Sequence, residues 1–186
     1  LEEGDELISV SRTSGNDNII IGSHAGMAIC FNENDVRPMG RDAAGVRGIK
    51  LEDGDYVVGA DIAAPDSCML TVTESGYGKR TGCAEYMRLG DDGQERVPQK
   101  RGGKGLKNYN ITAKTGAIAG VRMVTEDDDV MLISSDGTII RMPARDINIY
   151  KRDTQGVIVM RVEAGSKVIS IEKVDGEKDE EAEASS

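Results

Sequence analysis

The chain repeats itself. Gly4-Asp5-Glu6-Leu7-Ile8-Ser9-Val10 is followed by Gly54-Asp55-Tyr56-Val57-Val58-Gly59-Ala60, by the looser Gly116-Ala117-Ile118-Ala119-Gly120-Val121, and by Gly165-Ser166-Lys167-Val168-Ile169-Ser170-Ile171. These starts lie 50, 62 and 49 residues apart. A period of that length marks stacked supersecondary units, each too small to bury its own apolar face without its neighbours. Within each unit the start reads as an opening strand and leads to a polar turn: Ser14-Gly15-Asn16-Asp17-Asn18, then Pro65-Asp66-Ser67, then Glu126-Asp127-Asp128-Asp129. A strand–turn–strand follows, from Ile19-Ile20-Ile21 to Gly26, from Met69-Leu70-Thr71-Val72 to Gly76, and from Val130-Met131-Leu132-Ile133 to Gly137. β-Branched runs bounded by Ser, Asp and Gly are hairpin chemistry. No stretch carries a helical stripe strong enough to compete.

A glycine-spaced basic loop returns in register. Arg41-Asp42-Ala43-Ala44-Gly45-Val46, Arg101-Gly102-Gly103-Lys104-Gly105-Leu106 and Arg152-Asp153-Thr154-Gln155-Gly156-Val157 share the pattern Arg-x-x-x-Gly-apolar. The Arg stands 15 residues after the hairpin glycine in units one and three and 25 after it in unit two. The ten extra residues fall in the polar segment near Leu89–Pro98, which reads as a loop insertion. Around Gln99-Lys100-Arg101-Gly102-Gly103-Lys104-Gly105 the cations are separated by glycines, so bulky side chains do not hold a polyanion away from the backbone. Lys and Arg can meet phosphate oxygens, and amides turned by glycine can add neutral donors. A solvated basic loop remains the alternative at this point.

This pattern predicts an all-β fold: propeller-like, four-stranded blades around an axis, their equivalent loops lining one rim. The expected units are residues 1–53, 54–115 and 116–174, followed by an acidic tail over 175–186. From Glu172 to Glu183 there are seven carboxylates and two lysines, which is half of the net charge of −10. Such a tail has too few apolar groups to offset ordering entropy, so it is expected to be disordered. From Lys79 to Lys114 nine basic residues face four acidic ones. Screening over roughly 8 Å keeps the two fields separate. If the tail competes with a polyanion for the basic rim, deleting residues 175–186 tightens binding to duplex DNA at low salt; an unchanged affinity in a titration would dispose of the idea. With no Trp and a single Phe, the chain lacks base-stacking platforms for single strands.

The remaining chemistry-bearing residues point away from catalysis. Cys30, Cys68 and Cys83 form no C-x-x-C pair and read as buried or idle thiols in a reducing compartment. His24 is the sole histidine and leaves a nucleophilic triad little to build on. Gly78-Lys79-Arg80-Thr81 lacks the consecutive Gly-Lys-Ser/Thr of a phosphate-binding loop and follows a hairpin instead of opening a helix. Asp127–Asp129 occupies a turn position shared with Asn/Asp and Pro/Asp turns, so no metal site is expected. Tyr77, Tyr86, Tyr109 and Tyr150 read as strand or rim residues. Asn110-Ile111-Thr112 reads as a chance sequon. No signal peptide or apolar run of membrane-spanning length stands out. An opening at Leu1-Glu2 without Met reads as a fragment of something longer.

Gln99–Gly105 resembles the gyrase-A box, Q-[KR]-R-G-G-[KR]-G, of the C-terminal domain of bacterial DNA gyrase A. Gly76-Tyr77-Gly78-Lys79-Arg80-Thr81, Gly45-Val46-Arg47-Gly48-Ile49, Thr154-Gln155-Gly156-Val157 and the acidic tail also resemble that domain. The resemblance implies a β-pinwheel, a strand-exchanged relative of the propeller, whose rim wraps double-stranded DNA for supercoiling. It implies a non-catalytic part of an ATP-dependent type II topoisomerase. The parent would join an N-terminal cleavage core to gyrase B in a heterotetramer. It would use Mg2+, carry ATP on gyrase B and work in the bacterial cytoplasm at the nucleoid. Neither cofactor is expected in this segment. The family's box belongs to the first of about six blades, whereas here a box-like motif sits in the middle unit of what resembles the last three. The C-terminal domain of the corresponding topoisomerase IV chain, or a propeller-like scaffold for protein partners, are the other readings. Phosphate contacts are expected from Lys79, Arg80, Lys100, Arg101, Lys104 and Lys107, with Gln99, Gly102, Gly103 and Gly105 shaping the loop. Arg41, Arg47, Arg141, Lys151 and Arg152 form a second rank. Cys30 stands where Arg80 and Arg141 stand, which predicts a weaker contribution from the first hairpin.

Overall fold

A computed structural model describes residues 4–175; of the tail expected over 175–186, Asp175 ends a strand and residues 176–186 lie outside the described residues. Three hairpins form the frame: β1 (Asn18–Ser23) with β2 (Met27–Asn32), β4 (Cys68–Thr73) with β5 (Tyr77–Gly82), and β10 (Asp128–Ser134) with β11 (Ile139–Pro143). Each reverses through a short turn whose glycine, Gly26, Gly76 or Gly137, has φ 83°, 80° or 88°. Their amides donate to Ser23, Thr73 and Ser134 carbonyls at 3.0, 2.9 and 3.0 Å. The positive φ that closes these turns is open to glycine without the cost of a Cβ.

The sheets do not coincide with the sequence units. β3 (Val57–Ile62), from the second start, pairs antiparallel with β1 of the first hairpin. In the same way β9 (Ile118–Val124) pairs with β4 and β13 (Val168–Asp175) with β10. Two short strands complete the exchange: β8 (Leu106–Lys107) adds to β2, and β12 (Val157–Ile158) adds to β5. The resulting orders are β3-β1-β2-β8, β9-β4-β5-β12 and β13-β10-β11. Each start is therefore the edge strand of the preceding sheet, and units cut at 53/54 and 115/116 divide sheets between them. The third sheet has three strands instead of the expected four. At the other end, residues 5–17 contain no strand where an opening strand was expected. Leu7 and Val10 are left 70% and 81% exposed.

Period-two alternation sends one strand's side chains to two neighbours. Ile20, Ala28 and Cys30 pack with Met69, Ile118, Val121 and Met123 between the first and second sheets. Leu70 and Val72 point the other way and pack with Val130, Leu132, Ala144 and Ile171 of the third. Ile29, Phe31 and Ile49 fill the far side of the first. Each fully buried aliphatic side chain contributes about 1.5–3 kcal/mol, and most of that comes from contact between sheets. The described residues hold only single 3-10 turns as helix, and no helix long and apolar enough to cross a membrane.

Candidate nucleic-acid interface

The three basic loops are joined in series. Gly102 N–H donates to Gly48 O at 2.7 Å and Lys50 N–H to Gly103 O at 2.8 Å, so the second loop lies on the residues that follow the first. Arg101 fastens the same junction, its Nη1 donating to Arg47 O at 2.6 Å and its Nε to Asp35 O at 3.0 Å. The third loop lies on the end of the second. Arg152 Nη1 donates to Lys107 O at 3.0 Å, Asn110 N–H to Thr154 O at 3.2 Å, and the Tyr109 hydroxyl to Gln155 O. The second and third loops are thus straps that leave their own units, cross to the preceding sheet and donate β8 or β12 there.

Strap docking explains which cations are lost to solvent. Lys79 is fully buried; its Nζ donates to Lys151 O at 2.8 Å and Arg152 O at 2.5 Å and lies 4.9 Å from the Tyr109 ring centre. Burial pulls its ammonium down to about 7, with Asp153 drawing it up and Arg152 pushing it further down. Arg80 donates from Nε to Ile147 O at 2.6 Å and from Nη2 to Arg145 O at 3.3 Å, and Glu126 lies 3.6 Å from Nη1. Both were expected to meet phosphate, and the structure corrects this. They hold the third strap to the second sheet and have no path to a polyanion. At the matching position of the first hairpin Cys30 is buried, its thiol pushed up to about 12 chiefly by desolvation. Arg141 of the third hairpin, over which no described strap runs, stays exposed and meets Asp129 at 2.7 Å.

Part of the box is also turned inward. Gln99 N–H donates to Cys30 O at 2.7 Å and its Nε2 to Tyr86 O at 2.8 Å. Arg101 N–H lies 3.3 Å from an Asp35 carboxylate oxygen. With Gly102 N–H also taken, the amides of residues 99, 101 and 102 serve loop docking, contrary to their expected role as anion donors. Gly105, at φ 75°, sits so close to the first sheet that a Cβ would fall 2.3 Å from Ala28 O. Gly156, at φ 64°, does the same against Gly78 O at 2.3 Å. The cations that face solvent are Arg41, Arg47, Lys100, Lys104, Lys107 and Lys151, while Arg101 and Arg152 are half-buried. Lys104 reaches Glu52 at 2.9 Å, which lowers the Glu52 carboxyl through that hydrogen bond and charge. Lys107 Nζ donates to Asn110 Oδ1 at 3.1 Å.

The other reactive side chains serve packing. His24 stacks on Tyr56 at 4.5 Å between ring centres. Tyr86 is buried and donates to Asn108 Oδ1 at 2.5 Å, and burial raises its hydroxyl. Asp128 accepts from Thr125 N–H and Oγ1 at 2.7 and 3.0 Å, closing the turn expected there. Cys30, Cys68 and Cys83 are free thiols. Arg88 and Arg96 were missed: the inserted segment is a hairpin, β6 (Arg88–Leu89) with β7 (Arg96–Val97). Gly90-Asp91-Asp92-Gly93 was its only signal, since two-residue strands show no period.

Fold and site together define a propeller-type protein whose blades exchange strands and are bolted by cationic straps. The family model described as "DNA gyrase C-terminal domain, beta-propeller" matches residues 17–64, 69–88, 97–125 and 128–175. The chain belongs to that family. It is 44% identical over 180 residues to the DNA gyrase A protein of Staphylococcus epidermidis, covering 96% of this chain and 19% of that protein. It is 39% identical over 181 residues to the DNA gyrase A protein of Escherichia coli K12, covering 97% and 20%. The chain thus spans about a fifth of the length of these curated relatives. Among solved structures it resembles the C-terminal domain of DNA topoisomerase IV (TM-score 0.84, 26% identity, 95% of this chain and 52% of that one). It also resembles a DNA gyrase A C-terminal domain (TM-score 0.73, 29% identity, 85% and 50%).

Proposed function

We propose that this chain binds duplex DNA along the row of strap loops and bends it, serving as the wrapping part of a DNA gyrase A protein in which the supercoiling chemistry resides elsewhere. The observation that carries this reading is that the second basic loop docks beside the end of the first and the third on the end of the second, with exposed cations on each. Cations on such a path meet phosphates and fix the course of a duplex without reading its bases. Bending a short duplex sharply costs on the order of several kcal/mol, so contacts from several loops must act together. In the parent enzyme an N-terminal cleavage core, gyrase B, Mg2+ and ATP supply strand passage, in the bacterial cytoplasm. The topoisomerase IV reading stays as the second one, favoured by the higher TM-score of that neighbour; the box and the two gyrase relatives favour the first.

Lys100→Ala with Lys104→Ala is expected to weaken binding to all duplex sequences alike and to make the slope of log affinity against log salt shallower by roughly two, at about one per phosphate contact. A gel shift across a salt series with unrelated sequences checks it, and a sequence-selective loss would contradict it. Wrapping is tested separately by relaxing a plasmid with a topoisomerase in the presence of the chain. Constrained writhe supports wrapping; its absence despite binding leaves a binding module or a protein scaffold.

A further inference from the structure

Most of the inserted hairpin β6–β7, residues 89–96, falls in the longest gap of the family match, which stops at residue 88 and resumes at 97. It is nevertheless a built element. Arg88 lies opposite Val97 and Leu89 opposite Arg96 in its register. Gly90 N–H donates to Glu95 O at 2.7 Å, and the Asp92 carboxylate accepts from the amides of Gln94 and Glu95 at 3.0 and 3.1 Å. The hairpin stands over the box, and an open cleft of about 630 Å³ runs between them. Arg88 and Arg96 line its hairpin side, Lys100 and Lys104 its loop side, and Arg152 reaches it from the third strap; Glu85 is the one carboxylate among the lining residues. The hairpin's own acids, Asp91, Asp92 and Glu95, do not line the cleft, and Asp92 is engaged by its own turn. Five cations thus line the cleft against a single carboxylate.

We infer that the cleft is a walled groove for one sugar-phosphate strand of a duplex, with Arg88 and Arg96 gripping it from the side opposite Lys100 and Lys104. The inference rests on the duplex-binding reading above and adds a second wall to it. Two walls of opposed cations can contact phosphates on both sides of one strand, where a flat rim reaches one side. Both arginines are exposed and already partnered in ways a ligand can replace: Arg88 Nη1 lies 3.7 Å from Asp91, and Arg96 Nη1 donates to Ala84 O at 3.0 Å. An anionic ligand can take over both.

The test uses the full chain and a fluorescently labelled linear duplex, with anisotropy titrations over a salt series. Arg88→Ala with Arg96→Ala is expected to weaken binding on the order of tenfold and to flatten the salt slope by roughly two. Arg88→Gln with Arg96→Gln keeps a hydrogen-bonding side chain at each position and must show the same loss, with an unchanged melting temperature. If the parent chain binds duplex and the double variants keep its affinity and slope, the groove is refuted while the duplex-binding reading survives. If the parent binds no duplex, or binds polyglutamate more tightly than duplex, both are refuted.

Discussion

Gly105→Ala is expected to lower stability by about 3 kcal/mol, and Gly156→Ala by a similar amount, whereas Gly45→Ala costs about 1 kcal/mol. All three glycines hold the same station of the repeat and all have positive φ, 75°, 64° and 80°. The backbone penalty for an L side chain is therefore shared, at about 1 kcal/mol. Surroundings separate them. A Cβ at 105 or 156 meets a carbonyl oxygen of the accepting sheet at 2.3 Å, and at 45 it meets nothing within 4 Å. Carbonyl oxygens already in a ladder cannot move aside cheaply, so the strap must lift, and overpacking of this kind adds about 1–3 kcal/mol. Lifting the strap at 156 also removes the acceptors of Lys79. Chemical denaturation of the four proteins measures the difference; equal losses at 45 and 105 would mean that strap docking contributes little.

Lys79→Met is the second large effect, expected to cost about 2–4 kcal/mol near pH 8.5 and less near pH 6.5. Methionine fills similar space but leaves the Lys151 and Arg152 carbonyls without their buried donor, a loss of roughly 1–3 kcal/mol for each such group. The pH dependence follows from the sign of the shift. Burial lowers the folded-state value of Lys79 to about 7 from its ordinary 10.5. Between these values the unfolded chain binds more protons than the folded one, so stability rises with pH through that window. Below about 7 both states carry the proton, and the cost of burying the charge is present in full. From pH 6.5 to 8.5 the advantage of the parent over the variant should grow by about 2 kcal/mol, at 1.36 kcal/mol per unit. A gap that does not change with pH would show that Lys79 stays charged throughout. Affinity for duplex should keep its salt slope, because Lys79 cannot reach a phosphate.

Much of the frame was legible from spacing. The three hairpins, their closing glycines and the strap loops fall where the repeat puts them, because each depends on local alternation and turn chemistry. Which sheet a strand joins does not. Val57–Ile62 has the same alternation whether it pairs with β1 or with a strand of its own unit, so units drawn by period cut through the sheets. Lys79 and Arg80 misled for a related reason. Gly-Lys-Arg-Thr just past a hairpin glycine offers two cations with nothing local to cover them, and they are covered by residues 145–152, about seventy positions later. The box was legible as a glycine-spaced loop carrying cations, and the inward turn of Gln99 and of three amides was not. Those bonds are made to residues 30, 35, 48 and 86, and nothing local to the box announces them.

Exchange of strands also sets an order of events for a chain emerging from the ribosome. The hairpin β1–β2 is complete in itself after residue 32, yet its inner edge waits for residues 57–62 and its outer edge for 106–107. The second hairpin waits likewise for 118–124 and 157–158. Neither of these blades can close before translation of the next one is well under way. Each nascent hairpin therefore spends that interval with open edges, held in place by whichever neighbour has already arrived.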